Sequence, residues 1–110
     1  MWILMLRTKQ QRKELCASCP IARVADLVGD SCSLLIVRDL LEGPKRFSQL
    51  EASLSGVSSR TLTRKLKFLE QEKFVAHRTQ RAIQRYELTK KGAAFQEVVD
   101  AMRRYGKKYL

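Results

Sequence analysis

The side chains of this chain with the most intrinsic reactivity are three thiols, Cys16, Cys19 and Cys32, and one imidazole, His77. Cys16-Ala17-Ser18-Cys19 has the two-residue gap of a metal-binding pair, but with no second Cys-x-x-Cys a four-ligand site would need both Cys32 and His77. No metal is therefore expected, and a surface arm with free thiols is the plainer reading. His77 lies far in sequence from any paired acid, so a Cys-His nucleophilic pair has no support. Glycine-rich phosphate loops, carboxylate pairs in an apolar setting and cofactor fingerprints do not occur, so neither catalysis nor a bound cofactor is expected. Cys19 stands out because it precedes Pro20, a residue suited to the first turn of a helix. There the helix dipole and nearby cations favour the thiolate, which makes Cys19 a candidate redox or electrophile sensor against the alternative of a buried, inert cysteine.

The second kind of chemistry is electrostatic. In 110 residues, 22 Lys and Arg face 11 Asp and Glu, a net charge of +11. Such an excess calls for a polyanion, nucleic acid or an anionic membrane face. Residues 58–91 hold ten of the basic residues against Glu70, Glu72 and Glu87, and so carry +7 of the total. The apolar opening Met1 to Leu6 is six residues long, too short to span a bilayer, and Arg7 to Lys13 follow at once. Neither a signal peptide nor a transmembrane helix is expected, and the odd cysteine count without secretory features points to reduced thiols and the cytoplasm.

Positioning these charges requires a single core, since the length leaves no room for two. Pro20 opens a helix whose Ile21, Val24, Ala25 and Val28 have apolar spacing up to Gly29. Leu34, Leu35, Val37, Leu40 and Leu41 predict a largely buried helix from Cys32 to Glu42, stopped by Gly43-Pro44. Lys45-Arg46-Phe47 reads as a short extended link. Ser48 is expected to cap a short helix carrying Leu50 and Leu54, with Glu51 closing a capping box. Ser58 is expected to cap a longer one to about Glu72, anchored by Leu62, Leu66 and Leu69. Phe74 to Thr79 and Arg85 to Leu88 predict a hairpin, and Thr89 a final helix with Phe95, Val98, Val99, Met102, Tyr105 and Tyr109 on one stripe.

At about 100° per residue, Arg60, Arg64, Lys67 and Gln71 fall within roughly 40° of the direction opposite the leucines. Any surface helix carries charge opposite its apolar stripe, so this alone does not make a recognition helix. The order helix, turn, helix, basic hairpin does: it is that of a winged helix, whose second helix enters the major groove. Arg60 and Arg64 are the preferred base readers, with Ser58, Ser59, Thr61, Thr63 and Lys67 reaching bases or phosphates. Lys45, Arg46, Arg81 and Arg85 supply backbone and wing contacts.

The residues also resemble the HxlR-type winged-helix regulators of bacteria and archaea from Cys19 to about Gly92. The similar stretches are Cys19-Pro20, Leu34 to Leu41 with Gly43-Pro44-Lys45-Arg46-Phe47, Val57 to Leu66, Leu69-Glu70, and Tyr86 to Gly92. The chain departs from that family at Asp30-Ser31-Cys32, where Gly-Lys-Trp is usual, and in a shorter wing without the usual prolines. Lys73 stands where a glycine is usual and His77 where an arginine is. The resemblance implies a fold that is mainly α with a small β-hairpin, a winged helix-turn-helix DNA-binding domain with N- and C-terminal dimerisation segments. It divides the chain into a basic arm (1–18) carrying a candidate dimerisation helix, the DNA-binding domain (19–92) and a C-terminal dimerisation helix (93–110).

The implied partners are double-stranded DNA and a second copy of the chain. The dimer interface is expected at Phe95, Val98, Val99, Met102 and Tyr105, unless these merely complete the monomer core. In some members of that family a cysteine at the position of Cys19 senses oxidants or electrophiles, which implies an oxidant or small-molecule effector. Two alternatives stand beside DNA-sequence recognition: a regulator switched mainly through Cys19, and a winged-helix module that binds protein or RNA.

Overall fold

Caps decide where the helices of this protein begin. The computed structural model describes residues 19–110. The Cys19 sulfur accepts the Ala22 N–H at 3.4 Å and opens α1 (Pro20–Val28). Asp30 Oδ1 accepts the Ser33 N–H at 2.9 Å and opens α2 (Ser31–Leu40). Ser58 Oγ accepts the Thr61 N–H at 3.1 Å and opens α4 (Ser59–Gln71), as its sequence predicts. Between these helices lies α3 (Phe47–Ser53), and α4 is followed by an antiparallel hairpin, β1 (Val75–Gln80) and β2 (Ile83–Leu88). The chain ends in a short α5 (Lys90–Ala93) and in α6 (Gln96–Tyr109). No helix of the described residues is long and apolar enough to cross a membrane.

α2 runs Ser31–Leu40 where Cys32 to Glu42 was expected, β1 is shifted by one residue and β2 begins at Ile83 where Arg85 was expected; two further differences have a tertiary cause. Lys45 exchanges backbone hydrogen bonds with Tyr86, its N–H donating at 2.9 Å and its carbonyl accepting at 2.8 Å. This third strand position keeps the backbone extended through Arg46, so Arg46 takes the cap position and α3 starts at Phe47, two residues ahead of a helix capped by Ser48. Gln49 Oε1, not Glu51, reaches back to the Arg46 N–H at 2.8 Å. The second difference is at Thr89, which caps only α5. The continuous period toward Tyr109 hides a break at Ala94-Phe95, where Phe95 turns inward and meets Phe74 edge to face, centroids 5.7 Å apart at 73°.

The core lies where α2, α3 and α4 meet the base of the hairpin. Ile36, Leu50, Leu62, Leu66 and Leu69 are at most 1% exposed. Phe95 and Val99, expected at a subunit interface, are buried in this same core, and Val98 packs half-buried against it. The reason is the break before α6, which folds the first turn of that helix onto Phe74. Only the outer part of the stripe, Met102, Tyr105 and Tyr109, faces solvent.

Candidate nucleic-acid interface

α4 is held from below and at both ends. Its leucines bury one face, and Lys65 Nζ lies 3.4 Å from Asp30 Oδ2, tying it to the N-terminus of α2. Burial acts to raise the Asp30 carboxyl, but hydrogen bonds from Ser33 and the Lys65 charge outweigh it and hold the group below its ordinary value. The same carboxylate and burial push the neighbouring Cys32 thiol up, burial contributing most, so Cys32 stays a protonated core residue.

The C-terminus of α4 closes in a Schellman motif. The Lys73 N–H donates to Glu70 O at 3.0 Å and the Phe74 N–H to Leu69 O at 2.9 Å, while Lys73 takes φ +61°. Leu69 and Phe74 supply the accompanying apolar contact within the core. A left-handed residue is required here, which gives a physical reason for glycine to be usual at this position and for Lys73 to be strained in it. Lys91 Nζ donates to the exposed Glu72 carbonyl at 2.8 Å, and the Thr89 hydroxyl donates to Lys73 O at 2.5 Å. The exit of the wing thus clasps the end of the helix. Gly92 permits the approach: a Cβ there would stand 2.3 Å from Phe74 O.

On the opposite face Arg60, Arg64, Lys67 and Gln71 are exposed. Among the described residues no carboxylate pairs with Arg60, Arg64 or Lys67, and none of the three side chains takes part in a hydrogen bond. The hydroxyls around them are committed internally. Ser58 Oγ donates to Thr61 Oγ1 at 3.0 Å, Thr63 Oγ1 donates to Ser59 O at 2.8 Å, and the Ser59 hydroxyl donates to Glu51. Ser58, Ser59, Thr61 and Thr63 thus fasten the helix and its neighbour α3, whereas the three cations carry no internal bond of this kind.

The hairpin turns on two residues, Arg81 (φ +53°) and Ala82 (φ +64°), the dihedral pattern of a type I′ turn without its usual Asn-Gly. Its register pairs Val75 with Leu88, His77 with Tyr86 and Arg78 with Arg85. One face carries Val75, Tyr86 and Leu88, which pack on the core, and the exposed His77, whose ring stacks on that of Tyr86 with centroids 4.3 Å apart. Burial and the Glu70 charge push the Tyr86 hydroxyl above its ordinary value.

The other face carries Arg78, Arg85 and Glu87, with Glu87 paired to Arg78. Arg85 and the turn residue Arg81 are exposed and, among the described residues, lack an acidic partner. Lys45, expected to contact phosphate, is half-buried, shares the core-side face with Tyr86, and its Nζ lies 3.7 Å from the exposed Glu42. Arg78 is the residue sequence reading missed. The signal was the two-residue turn, which fixes Arg78 opposite Arg85, but Arg-Ala does not announce such a turn.

Cys19 is half-buried at the start of α1. Cys16 and the Trp2 to Leu6 cluster lie outside the described residues. No group of three or more His, Cys, Asp or Glu that could hold a metal occurs among the described residues.

Proteins similar to this chain in sequence and in fold are known. The chain is 36% identical over 95 residues to the HTH-type transcriptional regulator sll1512 of Synechocystis, covering 84% of this chain and 70% of that one. The reduced form of the transcriptional regulator YodB from Bacillus subtilis superposes with a TM-score of 0.72 at 32% identity, covering 83% of this chain and 93% of that one. The reduced redox regulator HypR, 23% identical with a TM-score of 0.77 over 81% of this chain and 91% of its own, shares the fold. Residues 27–110 match the HxlR-like helix-turn-helix family, and the chain belongs to it.

Proposed function

We propose that the protein acts in the cytoplasm as a homodimeric, non-catalytic transcriptional regulator that recognises a specific site in double-stranded DNA. The observation that carries this reading is the exposed, unopposed row Arg60, Arg64 and Lys67 on the face of α4 turned away from Leu62, Leu66 and Leu69. Arginines so placed donate two hydrogen bonds to a guanine edge in the major groove. Arg46, Arg81 and Arg85 hold the phosphate backbone or minor groove, fixing the register in which Arg60 and Arg64 read.

Met102 (48% exposed), Tyr105 (60%) and Tyr109 (63%) on α6, with Ile21 (78%) on α1, supply the apolar surface that a second copy covers. Residues 93–110, with a contribution from 1–18, form the dimer contact. Two α4 helices then face successive major grooves. Selection of bound fragments from genomic DNA, followed by footprinting, tests the reading. A symmetric site with half-sites about one helical turn apart is expected. Equal affinity for every duplex, with no protected site, overturns it.

A second input rests on Cys19, whose sulfur faces the first-turn amides of α1, next to the apolar surface assigned to the dimer. YodB has been crystallised in quinone-bound and diamide-treated forms. Modification of Cys19 by an electrophile or oxidant breaks the Ala22 contact and shifts α1, which alters the spacing of the two reading helices. DNA affinity measured before and after quinone or diamide, on the wild type and on Cys19→Ser, decides this: an unchanged wild type removes Cys19 as a sensor.

A further inference from the structure

On the outer face of the hairpin, Arg78 and Arg85 stand directly opposite each other across the two strands. Like charges so paired repel, and in an isolated hairpin this arrangement weakens the sheet. The bridge between Lys45 and Tyr86 extends the register by one strand. Continued by one residue, it sets Pro44 beside Glu87 and the extended Arg46 beside Arg85. By that register Arg46, Arg85 and Arg78 follow one another in a transverse row, and the last two line a concavity with Pro44, Thr79, Gln80 and Glu87. The anion in that concavity is Glu87, whose carboxylate takes the Arg78 guanidinium. Glu87 is the less exposed partner, its side chain 29% exposed against 72% for Arg78, so the carboxylate is held in place while the arginine is free to swing away.

We propose that this row is a seat for a DNA backbone phosphate and that Glu87 is its built-in competitor, occupying Arg78 in the free protein and yielding it when a phosphate arrives. The site rests on the DNA-binding reading above and adds a specificity-determining residue to it. Every duplex offers phosphates, so a carboxylate that must be displaced weakens attachment to all sequences alike. It leaves the groove contacts of α4 to decide which site is kept. Nothing of the kind opposes Arg60, Arg64 or Lys67 among the described residues. The competing charge is placed where contacts carry no sequence information.

The experiment compares wild type, Glu87→Gln, Arg78→Gln, the double variant and Arg64→Ala by fluorescence anisotropy on a random-sequence duplex and on the selected site across a salt series, with thermal melting alongside. Glu87→Gln is expected to bind random DNA about two- to fivefold tighter, as for release of one exposed ion pair, with a salt slope steeper by up to about 0.9. That gain is expected to shrink in the Arg78→Gln background. Random-duplex affinity and slope unchanged at an unchanged melting temperature, or an equal gain with Arg78 absent, overturn the proposal. If Glu87→Gln melts lower than wild type, Glu87→Thr, neutral and favoured in strands, takes its place under the same criteria. Inorganic phosphate forms a separate arm. Thermal stabilisation of Glu87→Gln by millimolar phosphate, abolished by Arg78→Gln and without any change in DNA affinity, would assign the seat to a free phosphate ligand and overturn the DNA assignment. A wild type that binds no duplex at all defeats the DNA-binding reading itself. A wild type sensitive to Arg64→Ala but indifferent to Glu87→Gln defeats only the competitor.

Discussion

α4 and the β1–β2 hairpin both present arginines to solvent, but they come by them differently. In α4 the cations are spaced one turn apart by the helical period, and the fixed leucine face beneath dictates where they point. On the hairpin they are brought together by strand register, against their mutual repulsion, over a turn in which two side-chain-bearing residues take positive φ. The helix is a position set by burial; the hairpin is a position set by pairing. Burial costs far more to undo than pairing, so the first surface is the rigid one and the second the adjustable one.

Substitutions should separate the two. Leu66→Ala, at 1% exposure beneath α4, is expected to cost about 2–5 kcal/mol in a denaturant titration, while Ile83→Ala on the hairpin, 39% exposed, stays within about 0.5 kcal/mol. Comparable losses at both positions would erase the contrast. Gly92→Ala forces a methyl against Phe74 O, and about 1–3 kcal/mol of destabilisation in thermal melts is expected from so tight a contact. Arg64→Ala should lose about 1–3 kcal/mol on the selected site and relax base preference there, whereas Arg81→Ala weakens all duplexes similarly. Identical losses on specific and random DNA for Arg64→Ala would remove its reading role. Replacing Arg81-Ala82 by Asn-Gly relieves two left-handed residues and should raise stability by about 1 kcal/mol, because the penalty is local to the turn. A drop in melting temperature would show that Arg81 does more than turn the chain.

The smallest effect is alkaline. Cys32 and Tyr86 both hold their protons more tightly folded than unfolded, chiefly through burial, so the stability they add is full below their unfolded values and is lost as pH rises past 9.0 for the thiol. Cys32→Ala should flatten that decline in urea midpoints measured from pH 7 to above 10. An unaltered slope would place the loss elsewhere.

What the sequence disclosed follows the same division. α2 and α4 were legible because leucine spacing, Ser58 and the Gly43-Pro44 stop are local signals that agree with the core they build. The start of α3 was not, because it is set by Lys45 pairing with Tyr86, forty-one positions away in the chain. The break between α5 and α6 was equally hidden: an unbroken apolar period from Phe95 to Tyr109 says nothing of Phe95 being drawn to Phe74. In the site, the exposed cations of α4 could be read from helical geometry alone. The pairing of Arg78 with Arg85, and Glu51 fastening Ser59, depend on contacts that no spacing rule encodes.

One junction ties the far end of the molecule to the groove-facing helix. Thr89 and Lys91 grip the carbonyls of Lys73 and Glu72 just past α4, and Gly92 lies flush against Phe74. Four residues beyond Gly92 the chain enters α6. The terminal rod that carries the exposed tyrosines is therefore anchored, through this short segment, at the very end of the helix that bears the arginine row.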